Sequence, residues 1–518
     1  MGVYAKRTVL ALLFFATLMQ HIRCSSEDNV LTPDISYGGR VEIIAPARMK
    51  SGEYLPVVVQ ALTSDGSVDV EVTSSLRLVS AAMDLSGASI RLKKGMGSFS
   101  RRIDTQGNFR ISVDDAIGEK VVQGFADIAA KSYEGTLVPA REVWDASFDR
   151  HIVDDLVVPV GSELLIEAGT RILLHGRVNI VVEGTLSVEG SKEQPVVFIS
   201  RVWDEPWGGV EVRDADARFS YAFFVNGGAD DARVFGHSAS QPVLMARNAA
   251  VELQHCYFLD NPGKALGAHT SRVNIDQCLI SRCDTGGEFH SSLVHISSSF
   301  VLDIPNDDGI FVDDDNDGFY FLLVYPGSDE PSRVEDTYII TGKDDAIDHN
   351  GAKLEINGCW LEGFMHEGVA GSNTNWVRVF NTVVRGCEQG IEAGYGEPTV
   401  EVDHCVVVDN GVGLRFGDSY DTGSRGKMVV TNTVLFNNGD NIYNHDLQVQ
   451  AAVEGGITTR YSMTNDLDFD SSPFCITGVP RFDAGFRLLS GSPGAEMGSD
   501  GIDMGLFGAG VALSVDPL

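Results

Sequence analysis

Basic residues are scarce in this chain. Lys and Arg total 39 against 73 Asp and Glu, a formal charge of −34 over 518 residues. Such a balance repels nucleic acid and anionic membrane surfaces, and it disfavours a polyanionic ligand unless cations or a local basic patch intervene. Helical spacing is also missing: apolar residues do not recur at i, i+3, i+4, which argues against helical bundles and helical repeats. After the first twenty residues no apolar run is long enough to cross a bilayer. The eight cysteines lack the spacing of a disulfide framework.

What is present begins with MGVYAKRTVLALLFFATLMQ, a basic start and a short apolar stretch. It reads as a secretory signal over residues 1–24, so the chain is expected to be secreted or held at the cell surface. His21-Ile22-Arg23 is a poor context for lipidation of Cys24. A polar lead follows over 25–37. Residues 38–140 alternate short strands with turn clusters such as Ser64-Asp65-Gly66, which suggests a β-sandwich of immunoglobulin-like type. No catalytic constellation is visible there.

From Asp154 to His445 the chain repeats. One phrase, apolar-any-apolar-any-any followed by Cys, Thr or Ser, ends at 256, 278, 299, 337, 359, 382, 405 and 433. A second phrase, a small or polar residue followed by an apolar one, comes about ten residues later, as in Gly309-Ile310, Ala346-Ile347, Gly368-Val369, Gly390-Ile391 and Gly413-Leu414. A period near twenty-two with two-residue alternation inside it marks a solenoid of short strands, stacked about 4.8 Å apart. Cys256, Cys278, Cys359 and Cys405 share one repeat position with Thr and Ser, so they read as a buried, reduced ladder. Cys283 and Cys387 share another. After Asp446 the period is lost, and 446–518 is expected to cap the open end.

These repeats resemble the right-handed parallel β-helix of the pectin-lyase-like superfamily, over roughly the last two-thirds of the chain. That fold carries lyases, hydrolases and inert surface proteins alike, so it does not select a function.

The 38-residue step from Ser299 to Thr337 holds an insertion. Asp313, Asp315 and Asp317 followed by Gly318 open like a calcium loop, because alternating carboxylates can converge on one hard cation and Gly permits the bend. Position twelve of that loop is Val324 rather than an acid, so a shorter, structural Ca²⁺ site is expected. Around the second phrase, acids fall on successive windings: Asp308, Asp344-Asp345, His366-Glu367 and Glu392. Stacked carboxylates raise one another's pKa unless a proton or metal is shared, and this is the raw material of acid/base chemistry.

The pattern is similar to part of the polygalacturonase family of glycoside hydrolases. Asn306 and Asp308 match its Asn-x-Asp, Asp344 and Asp345 its Asp-Asp, and His366 its central histidine, with Met365 and Glu367 in place of flanking glycines. The resemblance implies that Asp308 and Asp345 activate water, Asp344 donates the proton and His366 supports them, with inversion at the sugar carbon. The family's Arg-x-Lys has no counterpart. Glu392 and Gly394 stand there, and Arg415 comes one winding later.

The leading expectation is therefore an exported monomer that cleaves a polysaccharide, with Asn306, Glu367, Glu392 and Arg415 binding substrate. Two alternatives stand beside it: a non-catalytic, calcium-stapled surface or matrix protein or carbohydrate-binding protein, and a calcium-dependent polysaccharide lyase using Lys343, His366 or Arg415 as base. Trp207, Trp360, Trp376, Tyr395 and Tyr420 are candidate sugar platforms or simple packing.

Overall fold

The computed structural model describes residues 39–80, 89–114, 116–310, 315–418, 424–445, 456–465 and 474–507. The expected signal segment, Cys24, the expected 25–37 lead, Asp313 and Tyr420 lie outside them. Among the described residues most of the chain after Ala130 is a parallel β-helix, with three strands per winding. Its first winding is built by the strand Ala130–Thr136, which pairs in parallel with Asp149–Val158, ahead of the start near Asp154 that the repeats suggest. That first strand is largely exposed, so it carries none of the apolar alternation by which later windings are read.

Each winding contributes one strand to each of three faces. Face A is a thirteen-stranded parallel sheet from Arg141–Trp144 to Gly456–Arg460. In its strand Lys353–Asn357 only Leu354 and Ile356 point inward, and Ile356 stacks between Val334 and Val379. Face B follows after a tight turn, with strands such as Trp360–Phe364 and Val406–Val408. Face C closes the winding with Phe319–Leu322, Ile347–Asn350, Glu367–Asn373, Gln389–Gly396 and Val412–Phe416. Inside, Phe198, Phe224 and Phe258 stack at 4.9 and 4.6 Å.

The turn from A to B explains the Cys/Thr/Ser position. The residue before it takes a left-handed conformation (φ +52° at His255, +50° at Gln277, +66° at Gly358, +46° at Asn381), which bends the chain in two residues. The next side chain then points into the stack and accepts the backbone N–H of the winding below. Cys256 N–H donates to Cys278 Sγ (3.3 Å), Cys278 N–H to Ser299 Oγ (3.0 Å) and Cys359 N–H to Thr382 Oγ1 (3.2 Å). Each hydroxyl or thiol also donates to the carbonyl two residues back, as Thr382 does to Phe380 (2.8 Å). The ladder thus satisfies backbone groups that the turn would strand. Its cysteines are free thiols, as the shared repeat position implies.

Face B is buried on both sides. Its outer residues Phe223, Tyr257, Leu259, Leu279, Phe300 and Val406 form a second apolar cluster outside the helix. Residues 40–125 cover the earlier windings. They form a three-stranded and a five-stranded sheet, a small β-sandwich that lays Ile44, Val58 and Met96 on this face. Tyr54 stacks on Trp203 at 3.9 Å, and Arg282 donates to Ser98 O (3.3 Å). The segment 474–507 covers the later windings with Leu488, Met504 and Leu506. The two covers meet at Trp360, where Lys94 lies 3.7 Å over the indole and Phe486 packs at 5.6 Å.

Candidate active site

Register fixes the site. In face C, Phe319 pairs with Ile347, Ile347 with Val369, and Val369 with Ile391. Two residues upstream on successive windings this aligns Asp317, Asp345, Glu367 and Gln389, and the hydrogen bonds follow. Asp345 N–H donates to Asp317 Oδ1 (3.4 Å), Glu367 N–H to Asp345 Oδ1 (2.8 Å), and Gln389 Nε2 to Glu367 Oε1 (2.5 Å). A parallel outward row holds Tyr320, Asp348, Ala370, Glu392 and Arg415. His366 Nδ1 sits 3.3 Å from Asp344 Oδ1 and 3.3 Å from Asp345 Oδ1, and also contacts Glu367 Oε2. Asp344, Asp345 and His366 each bring one ligand atom within 4.8 Å of the others.

The expected Asp308 is displaced by its own insertion. Gly309-Ile310 is not the second phrase of its winding: Ile310 is 60% exposed, and the face C strand there is Phe319–Leu322. The phrase is Gly318-Phe319, twenty residues after Ser299, and it places Asp317 under Asp345. Asp308 instead lies at the rim, half exposed, ion-paired to Lys343. Lys343, beside Asp344 in sequence, turns to Asp308 and to the Ile310 carbonyl (2.5 Å). Asn306 caps the same rim by accepting Asp308 N–H (3.1 Å). Next to this rim is a cavity of about 510 Å³, lined by His237, Asp284, Asn306, Asp308, Asp315 and Lys343 among others.

The residues of the acidic loop part company. Asp315 lies 3.5 Å from His237 Nε2, while Asp317 is 2% exposed and belongs to the acid column. Trp207 is core, donating to the Val225 carbonyl (2.9 Å), and Trp360 lies under the two covers. Trp376 stacks with Arg378 at 4.3 Å, and Tyr395 accepts Asn350 Nδ2 (2.8 Å).

Burial and crowding sort the protonation states. Burial, then the charges of Asp348, Asp345 and Asp344, push Asp317 well above the usual carboxyl range. Burial, then Asp345 and Asp344, do the same to Asp348. Glu367 is raised by burial and by Asp345. Glu392 reaches about 8, because burial outweighs the help of Arg415. Asp345 goes the other way. Burial is again the largest influence and opposes ionisation, but hydrogen bonds from Glu367 and His366 overcome it and hold Asp345 below its ordinary value. His366 resists burial through its three carboxylate partners and stays protonated. Asp345 is therefore held low among acids held high, the separation that acid/base catalysis needs. Asp348 and Gln389 flank the second apolar phrase in the sequence as the column's acids do, and strand register adds them to the site; Tyr320 is brought in by register alone.

No family model matches this sequence, and comparison with curated proteins returns no match. Among solved structures, a match is the catalytic domain of a GH87 alpha-1,3-glucanase (D1069A, in complex with nigerose), at 10% identity and a TM-score of 0.25, covering 83% of this chain and 91% of that one. A superposition that loose carries no argument about chemistry. The β-helix is established by the strand pairing of the chain itself.

Proposed function

We propose that this protein hydrolyses glycosidic bonds of a polysaccharide lying across face C. The observation that supports the reading most directly is the stacking of Asp345, held below its ordinary pKa by hydrogen bonds from Glu367 and His366, with Asp317 and Asp348, which burial and crowding hold above theirs. Asp345 takes the proton of the attacking water. The leaving oxygen needs a proton donor, and two carboxyls flank the base for that role: Asp344, which shares His366 with it, and the partly exposed, protonated Asp348. The negative field of the column also favours the positive charge that develops on the sugar in the transition state.

The test is a polysaccharide panel followed by reducing-end release. Wild type is expected to generate new reducing ends, and Asp345→Asn to lower turnover at least about a thousandfold, within the range for loss of a general base. Between Asp344→Asn and Asp348→Asn, the true donor is the variant whose activity returns on substrates with an acidic leaving group. No turnover on any polymer would instead support a non-catalytic surface or matrix protein.

A second reading keeps calcium. Asp317 Oδ2 is buried without a hydrogen-bond partner and faces three other acids, a setting for a divalent cation that would support elimination on a uronate. Product absorbing near 235 nm (roughly the unsaturated uronate band of an elimination) and abolished by chelator would select it.

A further inference from the structure

The cationic side chains around the acid column already have partners. Lys343, only 4% exposed, is held by Asp308. Arg415 donates to Gln389 Oε1 (2.7 Å) and lies 3.5 Å from Glu392 Oε1. His366 is gripped by Asp344, Asp345 and Glu367. His237, at the cavity wall, faces Asp315 at 3.5 Å and stacks on Tyr320 at 4.4 Å. Arg213 and Arg247 do lie on face C, with Arg233 beside them, but the trio is shared by Glu211. The two strand residues are five and four strands back from Ile347–Asn350, roughly 19–24 Å at about 4.8 Å per strand. That exceeds the screening length of physiological salt.

Beneath Asp345 the column holds a further acid, Asp317, 2% exposed, whose Oδ2 has no hydrogen-bond partner. We propose, building on the hydrolase reading, that the site takes neutral, hydroxyl-rich glycans and rejects uronates, because among the described residues each cation beside the column already contacts the site's own acids. The pKa directions agree: Glu367 and Glu392 are raised by burial and by the charge of neighbouring acids, the mark of a negative field that a further anion would deepen. A uronate carboxylate about 5 Å from Asp345 would be disfavoured on the order of a hundredfold at an effective dielectric near 20.

The test uses affinity electrophoresis of the full-length wild-type protein in the cold, with Asp345→Asn alongside as a turnover-suppressed control that lacks one of the repelling charges. Gels carry neutral polysaccharides, polygalacturonate, or the same polygalacturonate after reduction of its carboxyl groups, which removes charge and keeps the backbone. Retardation by a neutral polymer is expected, none by polygalacturonate, and any binding to the reduced polymer at least tenfold tighter than to its parent. Retardation by polygalacturonate equal to or stronger than by neutral polymers overturns the proposal, and so does a panel in which nothing retards the protein. Reducing-end assay on the polymer that binds separates the two readings. Binding without wild-type turnover sinks hydrolysis and leaves the charge selection standing.

Discussion

At the scale of single residues, the acid column links chemistry to stability with a definite sign. Glu392, Asp317, Asp348 and Glu367 have raised pKa values, so the folded chain holds protons that the unfolded chain releases. Their contribution is full below the ordinary carboxyl range and is lost as pH rises toward the folded value, about 8 for Glu392. His366 adds the same sign above its ordinary value, and Asp345 the opposite sign only in strong acid. The melting temperature is therefore expected to be highest near pH 5 and to fall by pH 8.5. Glu392→Gln should flatten that fall by on the order of 3 kcal/mol, most of what a single group shifted this far can contribute by neutral pH. A scanning calorimetry series with a flat or rising profile would contradict it. Asp344, Asp345, His366 and Glu367 were legible in the sequence because each stands at a constant offset from an apolar residue that must face inward. Asp317 reads as purely a loop residue because the insertion puts the true Gly-apolar pair nine positions downstream of the one that resembles it.

At the scale of the winding, the A-to-B turn stands on one left-handed residue and one small polar side chain. Thr382 is fully buried and both accepts Cys359 N–H and donates to Phe380. Thr382→Val keeps the shape but orphans that N–H, and should destabilise by about 1–3 kcal/mol in urea unfolding, whereas Thr382→Ser should stay within about 1 kcal/mol. Equal losses in the two variants would show that packing, not the hydrogen bond, matters there. This rung was readable from sequence, since Cys, Thr and Ser interchange at one position only when size and a single polar atom are what the site demands. The covering of face B was not. Runs such as Val406-Val407-Val408 and Phe223-Phe224-Val225 are apolar on both sides, the mark of a strand buried twice, but a run does not name what lies on top of it.

At the scale of the molecule, those covers bind the parts together. Lys93 of the sandwich, 7% exposed, reaches Asp303, Asp307 (3.1 Å) and Thr341 Oγ1 (2.8 Å) on the helix. Met96 is fully buried in the same seam. Met96→Lys should lift the sandwich from face B, seen as increased binding of a hydrophobic dye and faster cleavage between residues 125 and 130, with the far-ultraviolet strand signal largely kept. An unchanged protease pattern would mean that the seam does not depend on this contact. Repeat proteins ordinarily gain or lose a unit with little penalty, because each unit touches only its neighbours. Here the cover from the amino-terminal side and the cover from the carboxy-terminal side abut at Trp360, so an added winding would leave a bare apolar strip and a deleted one would force the two lids to collide. The length of this solenoid is in that sense measured by its own ends, and variation among sequences that share it should fall in segments such as 305–310 rather than in the number of turns.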